Sequence, residues 1–294
     1  MGERGRTWLA RLPELVARCA ARWELRVGEP YPGMSYNYIV RAERSDGTRA
    51  VLKLGVPGGV IASETAALLA FDGRGCVRLL DADPDEGALL LERLEPGETL
   101  GMVEDDDRAT LITAGVMARV RRPVPDGHSF PTVSTWAEGL GRLRARFAGG
   151  TGPFPAALVE KAERLYAGLL ATVRQNALLH GDLHHGNVLS AEREPWLLID
   201  PQGLVGDPVY ETTPFLRNNL DRAADPTRVL RRRARLLAEA LGFDPARVLA
   251  WAQAESVLSA WWDFEDHGPG WRDAIARAEF IAAAAHGRGS GVSG

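Results

Sequence analysis

A two-lobed α+β fold is what this sequence predicts, and three observations carry that reading. β-type patterning dominates the part of the 294-residue chain before residue 95, and one helical stretch interrupts it. Beyond residue 100 the apolar residues recur at helical spacing instead. Pro96-Gly97 lies where the pattern changes, a natural link between lobes.

The elements follow in order. Residues 1–25 read as an amphipathic helix packing on the body of the protein, because Trp8, Leu9, Leu12, Leu15, Val16 and Cys19 recur at its period. Arg4, Arg6, Arg11, Arg18 and Arg22 break up the apolar residues, so the stretch is no signal peptide. Nothing in the chain reaches the roughly 18 apolar residues that cross a bilayer. The first lobe is expected over 26–94. There "YNYIVRAERSDGTRAVLKL" (36–54) holds two β-rich runs around Asp46-Gly47, a strong hairpin signal. "IASETAALLAF" (61–71) reads as the inserted helix, with Glu64, Ala67, Leu68 and Phe71 on one side. "VRLLDADPDEGALLLERL" (77–94) reads as strand, turn and strand.

The second lobe is expected over 95–285. It has a Pro-rich loop at 121–133 and helical stripes at 158–173 and 229–241, and 245–266 reads as one long helix. Residues 286–294 read as a disordered tail. The formal net charge of −4 gives no general affinity for nucleic acid and tolerates a cationic small molecule. Two cysteines, Cys19 and Cys76, make no disulfide framework and fit reduced thiols in a cytoplasmic protein.

Chemistry concentrates in "HGDLHHGNVL" (180–189) and "LLIDPQG" (197–203). A zinc site would draw on His180, Asp182, His184 and His185. The other histidines (His128, His267 and His286) have no ligand-like neighbours, and no HExxH helix occurs. Phosphoryl transfer needs an aspartate to receive a hydroxyl proton, an asparagine five residues on to hold Mg²⁺, and a second acid after a following strand. Asp182, Asn187 and Asp200 have that arrangement. Taken alone, Asp200 also suits a turn before proline. The same chemistry needs a lysine on a first-lobe strand for the α/β-phosphates. Lys53 sits inside the apolar run "RAVLKLG", costly without a partner, and Glu64 on the next helix supplies one.

With these residues go "GMSYNYIV", "LLLERL" and "LLIDPQGLVGDPVYE", and together they resemble the aminoglycoside phosphotransferase family of the protein-kinase-like fold. "GRTWLARLPELVARCAARWEL" (5–25) and "AEREPWLLIDPQGLVGDP" (191–208) are similar to its streptomycin 6-kinase and hydroxyurea phosphotransferase branch. The resemblance implies an ATP- and Mg²⁺-dependent kinase of small molecules. Asp182 is then the catalytic base, Asn187 and Asp200 the metal ligands, and Lys53 the phosphate-holding residue oriented by Glu64. Glu92, Arg93 and Leu94 become the hinge that binds adenine through backbone groups, and Gly33 to Ser35 begin the loop over the phosphates. Gly181 replaces the arginine of protein kinases, Pro201-Gln202-Gly203 replaces Phe-Gly, and no Ala-Pro-Glu element follows. These departures point to a constitutive small-molecule kinase, in which His184 and His185 pack and hydrogen-bond within the loop.

The expected acceptor is a cationic aminoglycoside, with phosphorylation of streptomycin at position 6 as the leading expectation. A kinase for hydroxyurea or another small hydroxyl compound is the alternative, and a catalytically silent nucleotide-binding protein is a third. Asp207, Glu211 and Asp263 are candidate acceptor contacts, since carboxylates pair with guanidinium groups. At helical spacing Trp251, Glu255, Leu258 and Trp262 share a face, which could be core with one paired acid or the aromatic wall of a sugar cleft.

Overall fold

The computed structural model describes residues 3–32, 37–266 and 270–286. They group into two units. One runs to Thr99 and takes in Leu189–Gly203; the other is Leu100–Val188 with the chain from Leu204 onward. The expected lobe boundary at 94/95 falls a few residues ahead of this division. Pro96–Thr99, expected as a link, forms a short strand that pairs with Val188–Ala191, and that pairing keeps it in the first unit. The expected tail beyond residue 286 lies outside the described residues.

In the first unit, α1 (Glu3–Arg22) leads into β1 (Leu25–Pro30), β2 (Tyr38–Arg44) and β3 (Arg49–Leu54). Then come α2 (Gly59–Phe71), β4 (Leu79–Asp83), β5 (Ala88–Glu92) and β6 (Pro96–Thr99). β1 to β5 form one antiparallel sheet in the order β1-β2-β3-β5-β4. The hairpin around Asp46-Gly47 is present as β2 and β3. β1 is an addition to the sequence reading; at the sheet edge, most of its residues are exposed and its apolar pattern is short.

The alternation of a strand sorts β3 by face. Ala50, Leu52 and Leu54 join Trp8, Leu15 and Cys19 of α1 in one apolar cluster. Lys53, on the opposite face of the same strand, meets Glu64 of α2 instead. Leu9, read as part of the apolar stripe of α1, is exposed.

The second unit is mainly helical: α3 (Asp106–Val120), α4 (Val133–Arg146), α5 (Ala156–Ala171), α6 (Thr213–Arg217), α7 (Pro226–Leu241), α8 (Pro245–Glu265) and α9 (Trp271–His286). α8 is buried nearly all round, from Trp251 through Leu258 and again at Ala260 and Trp261, so it needs no polar face. A two-stranded ribbon, Ala177–Leu179 paired antiparallel with Leu204–Gly206, delivers the chain to residue 180. Among the described residues no helix is long and apolar enough to cross a membrane.

Candidate active site

In the first unit the site is a buried cluster of three charges. Lys53, on the central strand β3, is 2% exposed, and its Nζ donates to Glu64 Oε1 at 2.7 Å and to Asp200 Oδ1 at 3.0 Å. Burial disfavours the ammonium charge, but the Asp200 and Glu64 carboxylates outweigh it and hold the lysine above its ordinary pKa. Burial pushes the Glu64 carboxyl up to about 7 against the pull of Lys53.

Asp200 follows the strand Trp196–Leu198 and adopts a left-handed backbone, φ 58°. That conformation is strained for most residues and tolerated by aspartate. Neighbouring bonds hold it there: Leu198 N–H donates to Gly75 O, Val77 N–H donates to Leu198 O, and Ser63 Oγ of α2 donates to Gln202 O at 2.6 Å. One Asp200 oxygen faces Lys53 while the side chain stays 37% exposed, so it can also meet a ligand.

The N–H groups of Glu92 and Arg93 donate to the carbonyls of Arg78 and Arg49, and the Glu92 carboxylate binds Arg193 at 2.6 Å. Among the described residues the Leu94 N–H has no hydrogen-bond partner. Gly33 and Ser35 lie outside the described residues.

In the second unit the motif at 180–187 is a loop held by hydrogen bonds of its own side chains and backbone and by Glu211. Gly181 has φ 87°, a backbone conformation closed to arginine without strain, and this accounts for glycine at that position. Asp182 N–H donates to His180 Nδ1 at 3.2 Å. Asn187 Nδ2 donates to the Asp182 carbonyl at 2.9 Å and to Asp182 Oδ2 at 3.3 Å. His184 Nδ1 accepts from Gly186 N–H at 3.0 Å, so its proton belongs on Nε2, 3.6 Å from Asp182 Oδ2. Asp182 Oδ1 has no partner among the described residues. Burial would raise the Asp182 carboxyl, but the hydrogen bond and charge of His184, with the charges of His180 and Arg217, hold it below its ordinary value. An ionised aspartate with one oxygen fixed and one open suits a base that takes a hydroxyl proton.

The motif's three histidines do not converge. His180 and His184 turn Nδ1 to backbone N–H groups, and His185 stacks on Phe215 at 4.2 Å, where burial lowers its pKa to about 4. Among the described residues no three His, Cys, Asp or Glu side chains gather as a metal-binding group. A hard cation held jointly with a nucleotide asks for less, namely one or two protein oxygens. In the second unit the Asn187 amide uses its nitrogen on Asp182 and keeps its oxygen, and in the first Asp200 offers a part-exposed carboxylate. Each is an oxygen donor of the kind Mg²⁺ takes.

The acceptor candidates divide. Glu211 is 4% exposed, and its two oxygens accept the backbone N–H groups of His180 and Gly181. Asp207 caps the turn that begins at Pro208 through Val209 N–H and binds Arg247 at 2.6 Å and Trp251 Nε1 at 2.8 Å. Both acids are engaged inside the unit, which is not the acceptor contact expected of them. In "GDPVYE" an acid that faces a ligand and one that anchors a loop look alike. Asp263 is half-buried on α8 beside Trp262, whose ring meets Trp136 edge-on at 5.2 Å. On the shared face of α8, Trp251 and Leu258 are core, and buried Glu255 pairs with Arg217 at 3.1 Å. Arg217 did not stand out in the sequence.

Comparison with known proteins adds a family. The model of the aminoglycoside/hydroxyurea antibiotic resistance kinases matches residues 22–268. The chain is 40% identical over 276 residues to a streptomycin 6-kinase of Streptomyces glaucescens, covering 90% of this chain and 87% of that one. It is 41% identical over 275 residues to a hydroxyurea phosphotransferase of Kitasatospora aureofaciens, covering 90% and 77%. In fold it is similar to the crystal structure of a thermostable mutant of aminoglycoside phosphotransferase APH(4)-Ia with ADP and hygromycin B. There the TM-score is 0.64 at 16% identity, over 92% of this chain and 99% of that one.

Proposed function

Since the chain belongs to the aminoglycoside/hydroxyurea antibiotic resistance kinase family, a family of small-molecule phosphotransferases with a protein-kinase-like fold, we propose that it transfers the γ-phosphoryl group of ATP to position 6 of streptomycin and so confers resistance. One observation carries the phosphotransferase reading: Oδ2 of Asp182 is held by Asn187 and Oδ1 is open, on a carboxyl kept below its ordinary pKa.

The chain's residues divide the work. Lys53 holds the α/β-phosphates, kept cationic by Glu64 and Asp200. Leu94 N–H, within the hinge that includes Glu92 and Arg93, receives the adenine edge, and Gly33 and Ser35 are assigned to the loop over the phosphates. Asp182 Oδ1 takes the proton of the acceptor hydroxyl as its oxygen attacks phosphorus. Asn187 and Asp200 are the residues that would hold Mg²⁺, which when bound neutralises phosphate charge and aligns the leaving group. The contribution asked of the protein is position and charge. Because ATP is the donor, we assign the protein to the cytoplasm.

On the acceptor side Asp263 remains our candidate for a streptomycin guanidinium, with Trp136 and Trp262 beside it. Near-equal identity to the hydroxyurea enzyme supports a second reading, transfer to hydroxyurea or another small uncharged hydroxyl compound. ADP release measured with Mg²⁺-ATP against a panel of aminoglycosides and small hydroxyl compounds decides between them. Streptomycin should give the highest kcat/KM, and Asp263→Asn should raise its KM without changing the KM for ATP. Turnover confined to hydroxyurea, indifferent to Asp263, would replace our reading with the second.

A further inference from the structure

The segment 207–217 docks on the catalytic loop at two points. Glu211 accepts the N–H groups of His180 and Gly181, and Phe215 stacks under His185 at 4.2 Å. Two residues beyond Phe215 the same short helix ends in Arg217. Its guanidinium is held from one side: Nε donates to Glu255 Oε2 at 3.1 Å, and the Glu255 side chain is only 3% exposed. The two Nη nitrogens have no hydrogen-bond partner among the described residues, and the side chain is 23% exposed. A buried glutamate needs a counter-cation, and a lysine would supply one. Arginine does so through Nε and still presents a planar pair of donors, a shape matched to phosphoryl oxygens.

We propose that Arg217 is a catalytic residue of this kinase, whose Nη donors grip the equatorial oxygens of the phosphoryl group in transit beside Asp182. The proposal rests on the phosphotransferase reading above, and does not depend on which acceptor is used. As the acceptor oxygen forms its bond to Pγ, the bond from Pγ to the bridging oxygen of ADP breaks and the hydroxyl proton passes to Asp182. Charge spreads over the three equatorial oxygens meanwhile, and a fixed guanidinium stabilises it without reorganising. The charges of Arg217 and Asp182 act on each other, in keeping with this placement. A consequence follows for the acceptor. A cation next to the base turns the guanidinium groups of streptomycin away from this end. Asp263 lies eight residues beyond Glu255 on α8, about 12 Å along the helix by its rise, and is placed to receive one.

The test uses Arg217→Gln, Arg217→Lys and the charge-balanced pair Arg217→Gln with Glu255→Gln, which covers the case in which the single Gln variant fails to fold. ADP release is measured with the preferred acceptor and also with water alone, so the result stands even if no compound of the panel is phosphorylated. Loss of the guanidinium should lower both rates about 10²–10³-fold, with the KM for ATP within about threefold of the parent. Lysine should restore the thermal midpoint and not the rate. In equilibrium binding, tetrafluoroaluminate should tighten Mg²⁺-ADP on the parent and not on Arg217→Gln. Full rate in the lysine variant, equal tightening in the Gln variant, or a change confined to the acceptor KM would each overturn the assignment and leave Arg217 as the counter-ion of Glu255.

Discussion

The buried cluster of Lys53 and the loop of Asp182 solve the same problem, an ionised group taken from water, in opposite ways. Around Lys53 charge is matched with charge: one ammonium lies between two carboxylates, and two of the three side chains are almost wholly buried. Around Asp182 a carboxylate is bonded by an amide, an imidazole and the backbone of its own loop, and the charge of Arg217 acts on it without a direct bond. The first arrangement needs every member present, because removing one leaves an uncompensated buried charge. The second tolerates the loss of one charge, because each neutral partner keeps other bonds. Stability and chemistry are therefore coupled at Lys53 and separable at Asp182.

The largest expected effect breaks that comparison at the second region. Asp182→Asn keeps an oxygen for Asn187 and removes the base. Turnover should fall by about 10²–10⁴-fold, with the KM for ATP nearly unchanged and stability shifted by less than about 1 kcal/mol. Calorimetry and ADP-release kinetics on one preparation would check both. A large loss of stability would mean the loop depends on that charge after all, and turnover within about threefold of the parent would remove Asp182 from the base role.

The first region should lose both properties together. Lys53→Met leaves Glu64 buried without its cation, and we expect a stability loss of about 3 kcal/mol at neutral pH alongside loss of nucleotide binding. Glu64 already sits up to about 7, so it can escape by protonation, and the penalty should grow as pH rises above that value. Adding Glu64→Gln to Lys53→Met should recover part of the denaturant midpoint and none of the activity. Recovery of neither would show that the cost lies in packing.

Those charged residues were legible in the sequence because their environments are improbable. A lysine inside an apolar strand and an Asp-x4-Asn loop ahead of a strand ending in Asp leave few alternatives. The hairpin, α2 and the long α8 were legible for a similar reason, strong local signals over many residues. Local pattern fails where partners come from far along the chain. Glu211 binds residues thirty positions earlier, and Arg217 meets Glu255 thirty-eight positions later. No spacing rule reports that, so in sequence an anchoring acid looks the same as a ligand-facing one. β1 and β6 escaped as well, since a short strand owes its state to the neighbour it pairs with.

The smallest expected effect sharpens the comparison at Glu211, a strongly buried acid of the second region whose hydrogen-bond partners among the described residues are two backbone N–H groups. Burial pushes its carboxyl up to about 7, while the two backbone N–H bonds favour the charged form. It lines a cavity of about 200 Å³ with Met117, Leu178 and Phe243, roomy enough for water to carry the proton. As pH falls through about 7 the carboxylate gains a proton, one of the two N–H groups loses its charged acceptor, and the loop loosens. Turnover should therefore show an acid limb near that pH. Stability has the opposite sign. A folded-state pKa above the ordinary 4.5 means that folding takes up a proton between the two values. This contribution is complete below 4.5 and disappears as pH rises through about 7. Glu211→Gln should lower turnover roughly tenfold, by the lower end of the worth of a charge-assisted hydrogen bond, and should erase the acid limb. Its unfolding free energy, subtracted from the parent's between pH 4 and 8, should give a difference that slopes in this window, with Glu64 cancelling because both chains contain it. If that difference stays flat and the acid limb persists in the variant, the limb belongs to another group and Glu211 holds the loop without sensing pH.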